Sequence, residues 1–80
     1  MKYILFEDFS GKPVPFIFPN RVDHADMREQ MPYTRVISAG QVQLDEDGFK
    51  CFGGAPELDA TTREEDAAII RDFFTQQAEP

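Results

Sequence analysis

The side chains of this 80-residue chain that could carry out covalent chemistry are few. The candidate nucleophiles are Cys51, Ser10 and Ser38, and the single histidine, His24, is the candidate base. Nucleophilic catalysis also needs a group that orients the base, and no spacing in the sequence unites these residues. Cys51 alternates with Phe49 in an expected strand, which indicates a small buried apolar side chain. His24 lies at an expected helix start, where a solvated or capping role is ordinary. We therefore expect a protein that is not an enzyme.

The segment 45–48 has acids at alternate positions before a glycine, as a calcium-binding loop does. If Asp45 takes the first position of an EF-hand loop, the fifth position is Phe49 and the twelfth is Pro56, where the loop needs an acid and a glutamate. The pattern therefore fails, and an acidic hairpin tip is the simpler interpretation. One thiol and one histidine also cannot form a closed structural zinc site within one chain, so no metal or cofactor is expected.

A glycine pair before a helix is typical of loops that hold phosphate groups. Gly53 and Gly54 precede such a helix at some distance, and Arg35, Lys50 and Arg63 are the candidate cations of an anion or nucleotide pocket. No Walker or dinucleotide-binding spacing is present, and the carboxylates at the helix start oppose a bound anion unless these cations outweigh them. The alternative is a loop that only connects a strand to a helix.

The net charge of −7 lies entirely in the residues from position 44 onward. The carboxylates there form two clusters, a tip cluster of Asp45, Glu46 and Asp47 and a helix-start cluster of Glu64, Glu65 and Asp66. Nucleic acid and anionic membrane surfaces are excluded as direct partners, because the eight bases form no basic stripe. Within these clusters, residues 45–47, 64 and 65 could dock on a basic protein surface, or the acids could serve solubility alone.

Local patterns predict a ββαββα order. Aromatic and β-branched residues indicate strands at 2–9 and 14–18, with prolines placing the second at a sheet edge or beside a bulge. A short helix is expected near residues 23–31, a strand at 35–44, a returning strand at 49–52 and an irregular loop at 53–61. The expected fold class is α+β, a small mainly antiparallel sheet with one short and one longer helix on one face.

The last helix has the clearest signals. Thr62 and Glu65 fit a capping box, in which the Thr62 hydroxyl accepts from the Glu65 amide and the Glu65 carboxylate reaches back. Apolar residues at helical spacing then mark one face over about four turns. Residues 1–80 are expected to form one domain whose last five residues, 76–80, fray.

The size and composition of the chain bear on its assembly and location. An 80-residue domain has a small core, and one cysteine excludes an intramolecular disulfide. Small domains often self-associate instead, and eight phenylalanines are a generous supply, so a homo-oligomer is expected. The apolar run at the start is too short for a signal peptide or a membrane span, which predicts a cytoplasmic protein.

Several short stretches spread over most of the chain together resemble a group of short proteins of unknown function encoded in phage and prophage genomes. These stretches are SAG at 38–40, CFG at 51–53, REED at 63–66 with II at 69–70, FEDF at 6–9 and VP at 14–15. No catalytic residue is carried over by this resemblance. It implies the cytoplasm of a bacterial host and an accessory role, often the binding of a host protein or the sequestration of a small molecule used in host defence.

The expected function is therefore that of a non-enzymatic accessory binding protein of phage type with an anti-defence role. It would sequester a small nucleotide signal in a pocket between subunits, or block a host protein through its acidic surface. The alternative function is that of a structural or assembly component of a phage particle.

Overall fold

The computed structural model describes residues 1–32 and 35–78 and has an α+β fold, as predicted. Its main sheet contains β1 (Lys2–Glu7), β2 (Pro13–Phe18), β3 (Arg35–Asp45) and β4 (Gly48–Phe52) in the order β2-β1-β3-β4. Every neighbouring pair is antiparallel. β2 lies at one edge, as its prolines predicted, and β4 lies at the other.

The central strand β1 is buried on both faces of this sheet. Tyr3, Ile4, Leu5 and Phe6 are each 0% exposed. Successive side chains of a strand point to opposite faces, so a run of four apolar residues needs a covering layer on each side. The domain is therefore built in three layers.

The first covering layer packs on Ile4 and Phe6. It contains α1 (His24–Gln30), whose Met27 packs on this core, and Met31, four residues further along the chain, packs on it too. It also contains a two-stranded sheet of β5 (Gly54–Ala55) and β6 (Ala60–Thr61), joined by a 3₁₀ turn at Pro56–Leu58. The segment expected to be an irregular loop is thus a small antiparallel unit.

The second covering layer is α2 (Asp66–Ala78), which packs on Tyr3 and Leu5 through Ile70. The prediction that both helices lie on one face is therefore wrong. The reason lies in β1, which offers large apolar side chains at both odd and even positions and so requires a helix on each face. α2 continues to Ala78, past residue 76 where fraying was expected, and residues 79–80 lie outside the described part of the chain.

A register shift in β3 changes which side chains share a face. Strict alternation would put Val36 and Ser38 together, but the shift opposite Leu5 and Phe6 inserts an extra residue. As a result, Val36 shares the α1 layer with Ala39, and Ile37 shares the α2 layer with Val42.

Gly40 marks a close approach between β3 and the segment before α2. A Cβ atom there would lie 2.7 Å from the backbone oxygen of Phe52 and would also meet the hydroxyl of Thr62. A glycine at this position permits the close approach of the neighbouring backbone.

In the described part of the chain, neither helix has the length and apolar character needed to cross a membrane.

Candidate functional site

A buried carboxylate organises the start of α2. Asp66 is 0% exposed, and its Oδ2 accepts hydrogen bonds from Tyr3 Oη at 2.6 Å and from the Arg63 backbone N–H at 3.0 Å. Its Oδ1 accepts from Arg63 Nε at 3.0 Å. Tyr3 Oη also lies 3.0 Å from Thr62 Oγ1. The network ties the central strand to the segment that leads into α2.

The protonation of this network follows from its geometry. Burial alone would raise the pKa of Asp66, but the hydrogen bonds from Tyr3 and Arg63 outweigh burial and hold that pKa below its usual range. Burial, followed by the hydrogen bond to Asp66, raises the pKa of Tyr3 well above its ordinary value. Ser38 Oγ is also buried, and it has no hydrogen bond of ordinary geometry within the described residues. Its hydroxyl is nevertheless close enough to Asp66 to contribute to the lowered pKa of that carboxyl. Asp66 is therefore an anion and Tyr3 a neutral donor at pH 7.

The helix start differs from the predicted capping box. α2 begins at Asp66, and it is the carboxylate of Asp66 that reaches back three residues to the Arg63 amide. Glu65 instead lies exposed, 3.9 Å from Arg63 Nη1. The reach-back contact is thus moved one residue along the chain, because Tyr3 supplies Asp66 with a buried partner that Glu65 lacks.

The predicted anion pocket already contains an internal anion. The Thr62 amide donates to the Gly53 carbonyl at 3.1 Å, and Gly54 pairs with Thr61, so the two glycines do lie beside Arg63. However, Arg63 is engaged by the carboxylate of Asp66, which also occupies the start of the helix. The position that a ligand phosphate would take is filled by the protein's own side chain.

The other two predicted cations lie elsewhere. Arg35 is at the start of β3 and forms an ion pair with Glu7 at 3.7 Å. Lys50 stands opposite Gln43, about 26 Å along β3 from Arg35 at the usual rise per residue. Its Nζ lies 3.3 Å from Asp45 Oδ2. The structure therefore does not bring Arg35, Lys50 and Arg63 together.

The tip cluster lies on the β3–β4 turn, where Gly48 supplies a positive φ of +114°. Asp45 Oδ1 accepts from the Asp47 amide at 2.9 Å, and this bond, followed by Lys50, lowers the pKa of Asp45. The carboxylates of Glu46 and Asp47 are exposed, and neither forms an ion pair within the described residues. They remain available to a partner.

The helix-start cluster is reduced to Glu64 and Glu65, because Asp66 is buried. The bond between Thr62 and Gly53 places these two residues near the end of β4, whereas the tip cluster lies at its beginning. The two clusters therefore stand near opposite ends of a strand about 17 Å long.

His24 is 3% exposed, so the expectation of a solvated or capping histidine is wrong. Its Nε2 lies 3.0 Å from the Gly40 carbonyl oxygen, its Nδ1 lies 3.4 Å from Glu57 Oε1, and its ring meets Phe18 edge-on. The ring packs α1 against β3. Its surroundings come from distant segments, and no local pattern announces them.

Cys51 is partly buried against the α2 layer, which confirms its apolar role. Burial and the charge of Asp66 raise the pKa of its thiol. A thiol with a raised pKa is a poor nucleophile at neutral pH. Among the described residues, no three His, Cys, Asp or Glu side chains gather into a metal-binding group.

Comparison with protein-family models, with curated proteins and with solved structures gave no match. The resemblance to phage-encoded proteins therefore stays a prediction.

Proposed function

We propose that this chain is a non-enzymatic accessory binding protein that docks its acidic clusters on a basic surface of a protein partner. In the phage setting that the resemblance implies, the partner is a host protein and docking blocks it. The proposal concerns the side chains of Glu46 and Asp47 in the tip cluster and Glu64 in the helix-start cluster.

The distribution of paired and unpaired charges supports this proposal. All three cations of the predicted pocket are engaged by carboxylates, whereas these three exposed acids form no ion pair within the described ranges. Unpaired surface charge of one sign steers an oppositely charged partner and adds specificity. This pattern favours a basic protein surface over an anionic nucleotide.

Sequestration of a nucleotide has less support, since Asp66 already neutralises Arg63. A thermal-shift screen with cyclic dinucleotides and ADP-ribose derivatives tests it, because a ligand of the folded state raises the melting temperature. A role in a phage particle is the second candidate, favoured by the exposure of Leu44 (68%) and Phe52 (51%). Self-association would bury such side chains, and size-exclusion chromatography with light scattering measures it.

Capture of partners from a bacterial host lysate tests the proposal. The immobilised wild-type chain is compared with Glu46→Gln/Asp47→Asn and with the matched control Asp26→Asn/Glu29→Gln, which removes the same charge from exposed positions on α1. A basic partner should be retained by the wild type and the control, and recovered about tenfold less by the tip variant. Equal recovery by all three chains, or the absence of a retained partner, would overturn the proposal.

A further inference from the structure

The outer edge of β4 presents unpaired backbone groups. Val42 of β3 exchanges hydrogen bonds with Met1, at 2.7 Å from its N–H and 3.2 Å to its carbonyl oxygen, so its backbone faces β1. Alternate residues of a strand direct these groups to opposite neighbours. Cys51, which stands opposite Val42, therefore directs its N–H and C=O away from β3.

The same alternation applies two residues earlier in β4. The backbone N–H and C=O of Phe49 point away from β3, like those of Cys51. Those of Lys50, between them, bond inward to β3. Among the described residues, no strand pairs with this edge, since β4 ends the order of the main sheet. Four backbone groups, two donors and two acceptors, are thus open to an added strand.

The opposite edge of the sheet is closed to such pairing. The Asp8 amide donates to the Lys12 carbonyl at 2.9 Å, so the backbone of Lys12 faces β1. By alternation along β2, the backbone groups of Pro13, Pro15 and Ile17 point away from β1, toward the open edge. Two of these three positions have no N–H. Proline on an edge strand blocks the addition of another chain. β4 contains no proline, so the two edges differ in their capacity to bind.

Side chains around the β4 edge define what it would accept. Phe74 of α2 stacks on Phe49 with ring centroids 6.1 Å apart, and exposed Leu44 stands opposite Phe49 on the same face. These three form an apolar ledge beside the edge. The tip cluster and the helix-start cluster lie near its two ends, and the one lysine on the strand, Lys50, is paired with Asp45.

We propose that β4 binds an extended, basic segment of a protein partner as an additional strand. The inference rests on the proposed function and supplies its binding mode. Backbone bonds to Phe49 and Cys51 give the pairing, apolar side chains of the segment pack on the ledge, and its basic side chains reach the acidic clusters. A second copy of this chain is disfavoured, because edge-to-edge pairing would bring together two chains that each carry a net charge of −7.

The probe is an octapeptide of alternating lysine and valine, compared with the same peptide N-methylated along its central backbone. Methylation removes the N–H donors and keeps charge and side chains. We expect about tenfold weaker binding of the methylated peptide by NMR titration. The unmethylated peptide should slow amide hydrogen exchange at Phe49 and Cys51 and leave Lys50 unchanged, since the Lys50 amide is already bonded to β3.

Equal affinity of the two peptides would overturn strand addition, and it would leave the proposed function intact if the tip variant still weakened binding. Conversely, slowed exchange at Phe49 and Cys51 with no effect of Glu46→Gln/Asp47→Asn would support the added strand and remove the acidic docking. Protection of both amides without peptide, together with a concentration-dependent dimer, would identify a second copy as the occupant and overturn the inference.

Discussion

Replacement of Asp66 by asparagine removes the charge at the centre of the buried network and keeps the size of the side chain. Three donors converge on the carboxylate, namely Tyr3 Oη, the Arg63 amide and Arg63 Nε. An asparagine has one oxygen and one NH₂ group in their place. Whichever way the amide is turned, its NH₂ group faces an Arg63 donor. We therefore expect Asp66→Asn to destabilise the fold.

The magnitude follows from burial and bond type. Hydrogen bonds to a charged group contribute about 1.5–3 kcal/mol each, and breaking a buried ion pair costs about 3–5 kcal/mol. The Arg63 side chain is 35% exposed, so water can hydrate its charge when the ion pair is broken. The expected loss therefore lies near the lower limit for a buried ion pair, at about 3 kcal/mol. A domain of this size has roughly 4–12 kcal/mol of stability in total. The substitution should therefore remove a substantial share of it.

Urea unfolding followed by far-UV circular dichroism measures this loss as a change in the free energy of unfolding. The matched control is Asp72→Asn, at an exposed position 3.3 Å from Arg71, where less than about 0.5 kcal/mol is expected. If Asp66→Asn does not fold, Tyr3→Phe deletes one donor and should cost about 1.5–3 kcal/mol. Equal stability of the Asp66 and Asp72 variants would refute the reasoning.

The pH dependence gives an independent test of the same network. Because folding lowers the pKa of Asp66, its contribution is present above the pKa of the unfolded chain, about 3.9. It is lost as the pH falls through the lower pKa of the folded state. Below about pH 4, the free energy of unfolding should therefore fall more steeply in the wild type than in Asp66→Asn. Asp8 and Asp45 also have lowered pKa values, but they are common to both proteins and cancel in the comparison.

Three further experiments test the packing. Gly40→Ala should destabilise the fold by about 2–3 kcal/mol in urea, because its Cβ meets backbone, whereas Gly11→Ala, with φ +87° and open space, should cost about 1 kcal/mol. His24→Ala should cost about 2–4 kcal/mol, because it leaves a cavity and removes the hydrogen-bond partner of the Gly40 carbonyl. The control Glu57→Gln, which changes the exposed partner of His24, should cost less than about 1 kcal/mol. Equal losses in the two variants would contradict the burial of His24. Cys51 should be alkylated by iodoacetamide more slowly in the folded chain than in urea at pH 8, as mass spectrometry can follow, because folding raises its pKa.

Local patterns predicted the strands and helices of this chain well, because turn residues, alternation and helical spacing act over a few positions. The β3–β4 hairpin and the edge position of β2 are examples. The faces of the sheet were harder to assign. In the structure, the run from Tyr3 to Phe6 needs a covering layer on both faces of the sheet. In the sequence alone, the same run is typical of any short apolar strand. Which helix covers which face depends on contacts between residues far apart in sequence.

The site was predicted less well for the same reason. Tyr3 and Asp66 are 63 positions apart, and the sequence marks them only by a hydroxyl within an apolar run and by an acid at a helix start. A buried tyrosine hydroxyl needs a partner, which is the signal that could have directed attention to the network. In the sequence, Arg63 has the appearance of a free cation, because nothing local distinguishes its buried partner Asp66 from the two acids that precede it.

The acids of this chain are of two physical kinds, and the distinction bears on how its proposed binding could be separated from its stability. Asp66 is shielded from solvent, so added salt screens it little, whereas Glu46 and Asp47 are exposed and are screened over about 8 Å at physiological ionic strength. Added salt should therefore weaken the binding of a basic partner, while the hydrogen bonds of Asp66 at the start of α2 persist. Neutralising the exposed pair likewise changes the surface and leaves the helix start intact. Binding and folding thus depend on different carboxylates, although both groups lie in the same acidic half of the sequence.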